Sequence, residues 1–322
     1  MHAFLSGLGM MGRRHLKGLA RAGVQVTAFD PSENSARLAA EELEREGLSA
    51  DALQWESSIP SGMFDLAVFS ETADYRFENV RKFLSGAKAT RYLLEKPLSS
   101  NPEESHRLPG LFSEAGVSPG AVSTNFPRRS WGYIRRLKEL CTNSGEFQLT
   151  LNGGAIGLGC NGIHQLELYL YLNGGVMPEI RYCKLSQTRI ASGRGERFWD
   201  FGGTFLLESP RSAFFCSVSA DSSAPSMLTL RGNHFAAWVD ESDRTWRVME
   251  RSPESALPNY RYGADYRITA EGKADALPLD EVTRLWVSGE VNLPGLDEAL
   301  AVHDLLDRIL LAGGATPPYH FT

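Results

Sequence analysis

A strand-sized run, His2 to Ser6, leads without a break into Gly7-Leu8-Gly9-Met10-Met11-Gly12, which passes into a helix-prone stretch ending near Arg21. Each glycine has its own physical task. Gly7 suits a tight turn, Gly9 lets backbone approach a pyrophosphate, and Gly12 lets the helix lie close on the strand. Phosphates would then meet free N–H groups and the positive end of the helix dipole. The chain has 31 glycines, so the pattern alone is weak and its flanks decide. Val24 to Phe29 alternates and is rich in β-branched residues, as a second strand should be, and it ends on Asp30. An acid there accepts hydrogen bonds from the adenosine ribose hydroxyls and repels a 2′-phosphate, so NAD is expected over NADP. Arg13 and Arg14, on the first helical turn, are the residues that argue the other way, as phosphate partners.

With 322 residues the chain suits two domains, each able to bury its own core. A net charge of -6 argues against a nucleic-acid surface. The cluster Arg13, Arg14, His15, Lys17 and Arg21 is therefore expected to be one solvated or phosphate-facing helix. No apolar run approaches the roughly 20 residues a spanning helix needs, and the first basic residues follow the first apolar ones, the reverse of a signal peptide. Cys141, Cys160, Cys183 and Cys216 show no C-x-x-C pairing, which fits a reduced, cytoplasmic setting.

Up to about Val122, short apolar runs alternate with longer helical stretches, the pattern of parallel βαβ units. Later strands are expected at Asp65 to Ser70, Arg91 to Leu94 and Gly116 to Val122, with helices over Pro31 to Glu46, Asp74 to Leu84 and Pro102 to Ala115. Beyond Thr124, strands follow one another: Glu146 to Leu151, Ile180 to Ile190, Gly203 to Glu208, Ala213 to Val218, Met227 to Arg231, His234 to Val239 and Thr245 to Met249. Helices are expected over Ser130 to Cys141, His164 to Leu172 and Leu296 to Leu311. The reading is an α/β Rossmann domain with a parallel sheet, residues 1–122, and an α+β domain with a large, mainly antiparallel sheet, residues 123–322.

Two further stations carry chemistry: Glu95-Lys96-Pro97 at a strand end, and Gly157 to Glu167, which contains Cys160, Asn161 and His164 and enters an apolar helix. In this order, with the glycine loop, the stations resemble the glucose-fructose oxidoreductase / inositol dehydrogenase / MocA family over essentially the whole chain. The resemblance implies an NAD(P)-dependent oxidoreductase that exchanges hydride between nicotinamide and a secondary alcohol of a sugar, cyclitol or nucleotide sugar. Lys96 is then the lysine of the E-K-P motif and His164 the histidine of a D-x-x-x-H motif, the two catalytic candidates. It also implies a cis Lys96-Pro97 bond. The chemistry agrees: a histidine near pKa 6.5 can take a hydroxyl proton near neutral pH, and an ammonium steadies a developing alkoxide. The expected cofactor-contacting set is Gly7, Gly9, Met10, Met11, Gly12, Asp30, Ser70, Glu95 and Lys96. Asn125 to Trp131 looks like the family's N-x-x-R-R stretch at the domain junction, so Arg128 and Arg129 join Cys160, Asn161 and His164 as substrate-binding candidates. The alternative for the arginines is one that bridges domains through a carboxylate. The Gly157 to Glu167 run also resembles a narrower branch tied to nonulosonic sugar pathways, which favours an amino or nucleotide-linked sugar.

The departures are as informative. Cys160 stands where the family has its aspartate, so catalysis rests on Lys96 and His164 alone or Asn161 supplies the missing hydrogen bond. Glu71, Thr72 and Arg76 replace the usual Thr-Pro turn and histidine after Phe69. Cys160, His164 and Glu167 share a helical spacing, but no fourth ligand is evident and no metal is expected. Tyr92 and His303 are expected to serve packing, and the aromatic residues Phe198, Trp199 and Phe201 near Arg194 and Arg197 to form either a sugar-stacking loop or a sheet interface. The partners expected are a small sugar-type molecule and a second copy, in a homodimer or homotetramer joined through the C-terminal sheet, with no nucleic acid and no membrane. Cys160 also leaves open a second class of function, a cofactor-binding sensor or partner protein that kept the fold and lost turnover.

Overall fold

The computed structural model describes residues 1–321. Its first half alternates strand and helix: β1 (His2–Ser6), α1 (Met10–Arg21), β2 (Gln25–Phe29), α2 (Glu33–Arg45), β3 (Leu53–Glu56), β4 (Gly62–Phe69), α3 (Ala73–Gly86), β5 (Ala87–Leu94), α4 (Pro102–Glu114) and β6 (Val122–Thr124). These strands form one parallel sheet in the order β3-β2-β1-β4-β5-β6. The order reverses between β1 and its neighbours β2 and β4, and a crevice opens outside the carboxyl ends of the strands at such a point.

Two expectations change here. β3 lies on the sheet edge and is only partly buried, so its sequence LQWE carries no apolar run to announce it. The last strand begins at Val122, where it was expected to end, because a 3₁₀ turn, Pro119–Ala121, occupies the stretch before it. The helices after Asp30 and Leu94 match to within a residue or two, each entered through a side chain that accepts a first-turn N–H, Ser32 for α2 and Asn101 for α4.

The second half contains α5 (Gly132–Asn143), β7 (Phe147–Gly153), α6 (Ile163–Leu172), β8 (Glu179–Ala191), β9 (Trp199–Ser209), β10 (Ser212–Val218), β11 (Met227–Gly232), β12 (Phe235–Asp240), β13 (Thr245–Arg251), β14 (Tyr266–Lys273), α7 (Leu279–Ser288) and α8 (Leu296–Ala312). The eight-stranded sheet runs β14-β13-β12-β11-β7-β10-β9-β8, antiparallel except for the β7-β10 pair. Its strands alternate as a half-buried sheet must. Phe147, Leu149 and Leu151 turn inward to α5, α6 and α8, in a core that runs on into Phe4, Phe69 and Leu94 of the first sheet. The other face carries Tyr182, Phe215, Met227, Trp238 and Ile268, all exposed. β14 was missed because it is an exposed edge strand with little to bury.

The missed helix α7 does not belong to the second sheet's core. Val282, Trp286 and Val287 pack with Leu16, Leu19 and Val26 on the far face of the first sheet. Gly18 of α1 is what lets them approach: a Cβ there would lie 2.3 Å from Asp280 O. The chain thus returns to the first sheet after completing the second.

Candidate functional site

The glycine loop is shaped by contacts that only glycine permits. Gly7 has φ +85°, and a Cβ on it would sit 2.8 Å from the Glu71 backbone nitrogen. A Cβ on Gly12 would lie 1.9 Å from Gly7 O, so α1 seats on the loop only without one. Gly9 differs from both, since no protein atom lies within 4 Å of where its Cβ would be. Its bareness faces open space, which is what a cradle for a ligand requires. α1 opens at Met10 with no side-chain cap and no acid in its first turn, leaving N–H groups for an anion. Met10 is exposed and Met11 half-buried.

Asp30 is held beside this loop. Its Oδ2 accepts from Leu8 N at 2.7 Å and its Oδ1 from Ser32 N at 2.9 Å, which leaves each oxygen a lone pair for a hydroxyl donor. The Ser70 hydroxyl lies 2.8 Å from Ser6 O and 3.0 Å from Gly7 O, so Ser70 shapes the loop through its backbone. The basic cluster of α1 is tied up in ion pairs more than the solvated reading expects. Arg13 and Lys17 pair with Glu42 at 2.8 and 3.0 Å, and Arg21 pairs with Glu46 at 2.9 Å and with Asp280. Arg14 and Arg21 are the exposed members of the group.

His15 is buried, with Nδ1 2.8 Å from Thr283 Oγ1 and Nε2 2.9 Å from Glu95 Oε1. Thr283 gives its own proton to Leu279 O, so both ring nitrogens of His15 face acceptors. Glu95 also accepts from Asn125 Nδ2 at 2.6 Å and from Lys96 N at 3.2 Å. Burial alone would raise its carboxyl, but His15, the Lys96 charge and Asn125 outweigh that and hold it at about 2. Glu95 is 3% exposed, and its two oxygens hold His15, Asn125 and the Lys96 backbone in place.

The Lys96-Pro97 bond is cis. Lys96 Nζ donates to the Cys160 carbonyl oxygen, which joins the E-K-P segment to the third station. Burial pushes this ammonium below the usual lysine range, partly offset by Cys160 and Glu95. Gly157–Gly162 is a π-helical turn ahead of α6, a geometry that recurs where a backbone is bent to expose groups. His164 follows it, edge-on to Phe126 with ring centroids 5.4 Å apart, and its Nδ1 is buried with no protein partner. Burial, then the charges of Lys96 and Arg128, push its pKa well below 6.5, so the ring is neutral at pH 7.

The other candidates divide. Arg128 pairs with Glu241, whose second oxygen accepts from Gln165 at 2.6 Å, and its charge reaches Lys96 and His164. Arg129 is bound to Glu167 of α6 and to Glu298 of α8 at 2.9 Å and lies over the Tyr171 ring, all in the second half of the chain, so it is neither a free anion ligand nor a bridge between the two halves. Burial raises the Glu167 carboxyl to about 7 despite Arg129. Asn161 turns back to donate to Ile156 O at 2.8 Å, so it does not supply the hydrogen bond missing at Cys160. Among the described residues no three His, Cys, Asp or Glu side chains converge as a metal site.

Tyr92 is fully buried, its hydroxyl accepting from Ala89 N at 2.8 Å. His303 accepts from Leu98 N at 2.9 Å through Nε2, so its proton is on Nδ1, toward Ala299 O. Trp199 stacks on His320 with Arg189 above it, while Arg197 reaches Asp74 of α3 at 3.2 Å. That loop therefore spans from the second domain to the first. Glu71 takes the place of the usual turn threonine: both carboxyl oxygens are buried, and burial raises it to about 7, with the Arg76 charge opposing. Arg76 is itself buried, donating to Pro97 O and Glu71 O. Sequence reasoning missed His15 and Arg76 as partners, and above all Asp200, whose carboxylate accepts from Gly159 N and Cys160 N. No motif marks Asp200; it lies on β9, far along the chain from the loop it binds.

A parallel six-stranded sheet of Rossmann type, a mainly antiparallel eight-stranded sheet and a Lys-Pro station between them define the fold of the glucose-fructose oxidoreductase / inositol dehydrogenase / MocA type, as the motifs implied. Among solved structures, the chain is similar to UDP-N-acetylglucosamine 3-dehydrogenase GnnA from Acidithiobacillus ferrooxidans, with 16% identity, 97% of each chain covered and a TM-score of 0.69. It is similar also to an oxidoreductase from Agrobacterium radiobacter in complex with NAD+, L-tartaric acid and magnesium, with 12% identity, 97% and 96% coverage and a TM-score of 0.70. A super-repressor mutant of Gal80p from Saccharomyces cerevisiae matches with 13% identity, 97% and 95% coverage and a TM-score of 0.72. At these identities the likeness is one of fold. A family model described as a methyltransferase domain matches residues 7–91. That span starts at the glycine loop, holds Asp30, runs on into β5 and stops before Glu95. No curated protein matches the chain in sequence.

Proposed function

We propose that this chain is an NAD-dependent oxidoreductase acting on a secondary alcohol of a sugar, cyclitol or nucleotide sugar. The observation that carries the reading is the meeting of Lys96 with the Cys160–His164 segment, at the same end of the first sheet as the glycine loop. The residues fit a dinucleotide: Gly9 is bare toward open space, the first turn of α1 offers N–H groups, and Asp30 can accept from ribose hydroxyls while its charge repels a 2′-phosphate. When bound, the nicotinamide supplies a hydride acceptor. His164, neutral at pH 7, takes the proton of the substrate hydroxyl, and Lys96 orients that hydroxyl and steadies the charge left on its oxygen. Arg128, paired with Glu241, borders the same space and helps keep His164 neutral.

The exposed apolar face of the second sheet supports a homodimer or homotetramer, and the net charge of -6 speaks against a nucleic-acid partner. Among the described residues no helix is long and apolar enough to cross a membrane. NADH formation across a panel of sugars and nucleotide sugars tests the function. Lys96→Met and His164→Ala are each expected to lower turnover about 10²- to 10⁴-fold with cofactor affinity retained. A second reading, a cofactor-binding sensor, is favoured by Cys160 and by the Gal80p likeness. Tight NAD binding with no reduction by any alcohol in the panel would select it.

A further inference from the structure

We propose that Asp200 is the positioning residue of this site: through the backbone of Cys160 it fixes the Lys96 ammonium, so that no carboxylate side chain is needed at position 160. The proposal rests on reading Lys96 as catalytic. Asp200 reaches from β9 and is 5% exposed. Its Oδ1 accepts from Gly159 N at 2.8 Å and Phe201 N at 2.7 Å, and its Oδ2 from Cys160 N at 2.7 Å. Cys160 is therefore held at both ends of its own backbone, by its N–H on Asp200 and by its carbonyl on Lys96 Nζ. The side chain at 160 has no part in that link.

The local geometry is built around this carboxylate. Gly157 has φ +72°, and a Cβ on it would lie 2.2 Å from Asp200 Oδ2. Burial raises the Asp200 carboxyl, while the three N–H donors and the Lys96 charge oppose it. An asparagine cannot reproduce the arrangement, because its NH₂ would face the Cys160 N–H, donor against donor. The charged and titratable groups around Lys96 are Glu95 beside it, Cys160 and His164 from the entry to α6, Asp200 from β9, His303 from α8, Arg128 from the segment before α5, and Arg194 from the β8–β9 loop.

Acetic anhydride labelling of the full chain at a series of pH values, with the Lys96 peptide quantified by mass spectrometry, reads the Lys96 titration without any turnover. Asp200→Asn removes a negative charge and frees the carbonyl that favours the ammonium, so the labelling midpoint should fall by at least half a pH unit. Introducing Cys160→Asp into that variant should bring it back toward the wild-type value. An unchanged midpoint overturns the proposal, and so does a rise, which would mean that the loop had merely opened to water. Should Asp200→Asn fail to fold, Asp200→Glu keeps the charge and is expected to leave the midpoint within about 0.2 pH units; a larger shift is fatal to the idea. A protein that reduces no cofactor leaves this readout intact, so the two readings fail separately.

Discussion

The glycine loop and the Lys96 junction sit at the same end of the first sheet, yet they are built in opposite ways. The loop, from Gly7 to Gly12 with Asp30, is made by neighbours in sequence and is shaped by what glycine lacks. The junction is made by residues from β5, the entry to α6, β9 and the domain link, and is shaped by buried charges that hold one another. A local site tolerates change around it but fails when one Cβ is added. A dispersed site depends on partners that no local motif announces.

That contrast sets an order of expected effects. Gly12→Ala forces a Cβ to 1.9 Å from Gly7 O and should cost about 4 kcal/mol in urea unfolding, with NADH binding lost as well. Glu71→Gln comes next and is pH-dependent. The folded carboxyl, at about 7, lies above its value of 4.5 when free, so the native state holds the proton more tightly. Below pH 4.5 the residue costs nothing, the penalty grows between 4.5 and 7, and above 7 it is complete. The variant should therefore match wild type near pH 4 and exceed it by up to about 3 kcal/mol at pH 8. Equal stability at both pH values would mean that Glu71 finds a partner in solution.

Gly9→Ala separates binding from folding. With no protein atom within 4 Å it should leave stability within about 0.5 kcal/mol, while NADH affinity, followed by fluorescence titration, weakens at least about tenfold. A loss of stability equal to that of Gly12→Ala would erase the distinction between the two glycines. Asn161→Ala should do least. Its amide bonds only to Ile156 O at an exposed position, and a change in unfolding free energy beyond about 0.5 kcal/mol would give it a larger role than its geometry supports.

The two regions also explain what the sequence made legible. Strand, glycines, helix and acid fall within thirty residues, and each is the residue type that its backbone position requires. Lys96 and His164 were recognisable because a proline and a glycine-rich turn flank them. Asp200 was not, since a buried carboxylate on a strand looks like any polar residue until the loop it binds is folded against it. His15 was misread for a related reason: among four basic neighbours nothing in the sequence separates the one turned toward Glu95 from those facing α2. β3 and β14 were invisible because edge strands bury little, whereas α7 carried its signals, Pro278 before it and left-handed Gly289 after it, and lacked only a place in the expected order.

α7 has a further consequence, for the order in which the protein is made. Val282, Trp286, Val287, Val291 and Leu293 belong to the apolar layer over α1 and β2, and Thr283 is the hydrogen-bond partner of His15. A ribosome releases the whole first sheet long before these residues emerge. One face of that sheet, with the buried His15–Glu95 pair behind the Lys96 station, stays unsealed until nearly nine-tenths of the chain has been synthesised. A nascent chain halted before Leu279 carries the glycine loop, Lys96 and His164, but not the wall that encloses the charges behind them.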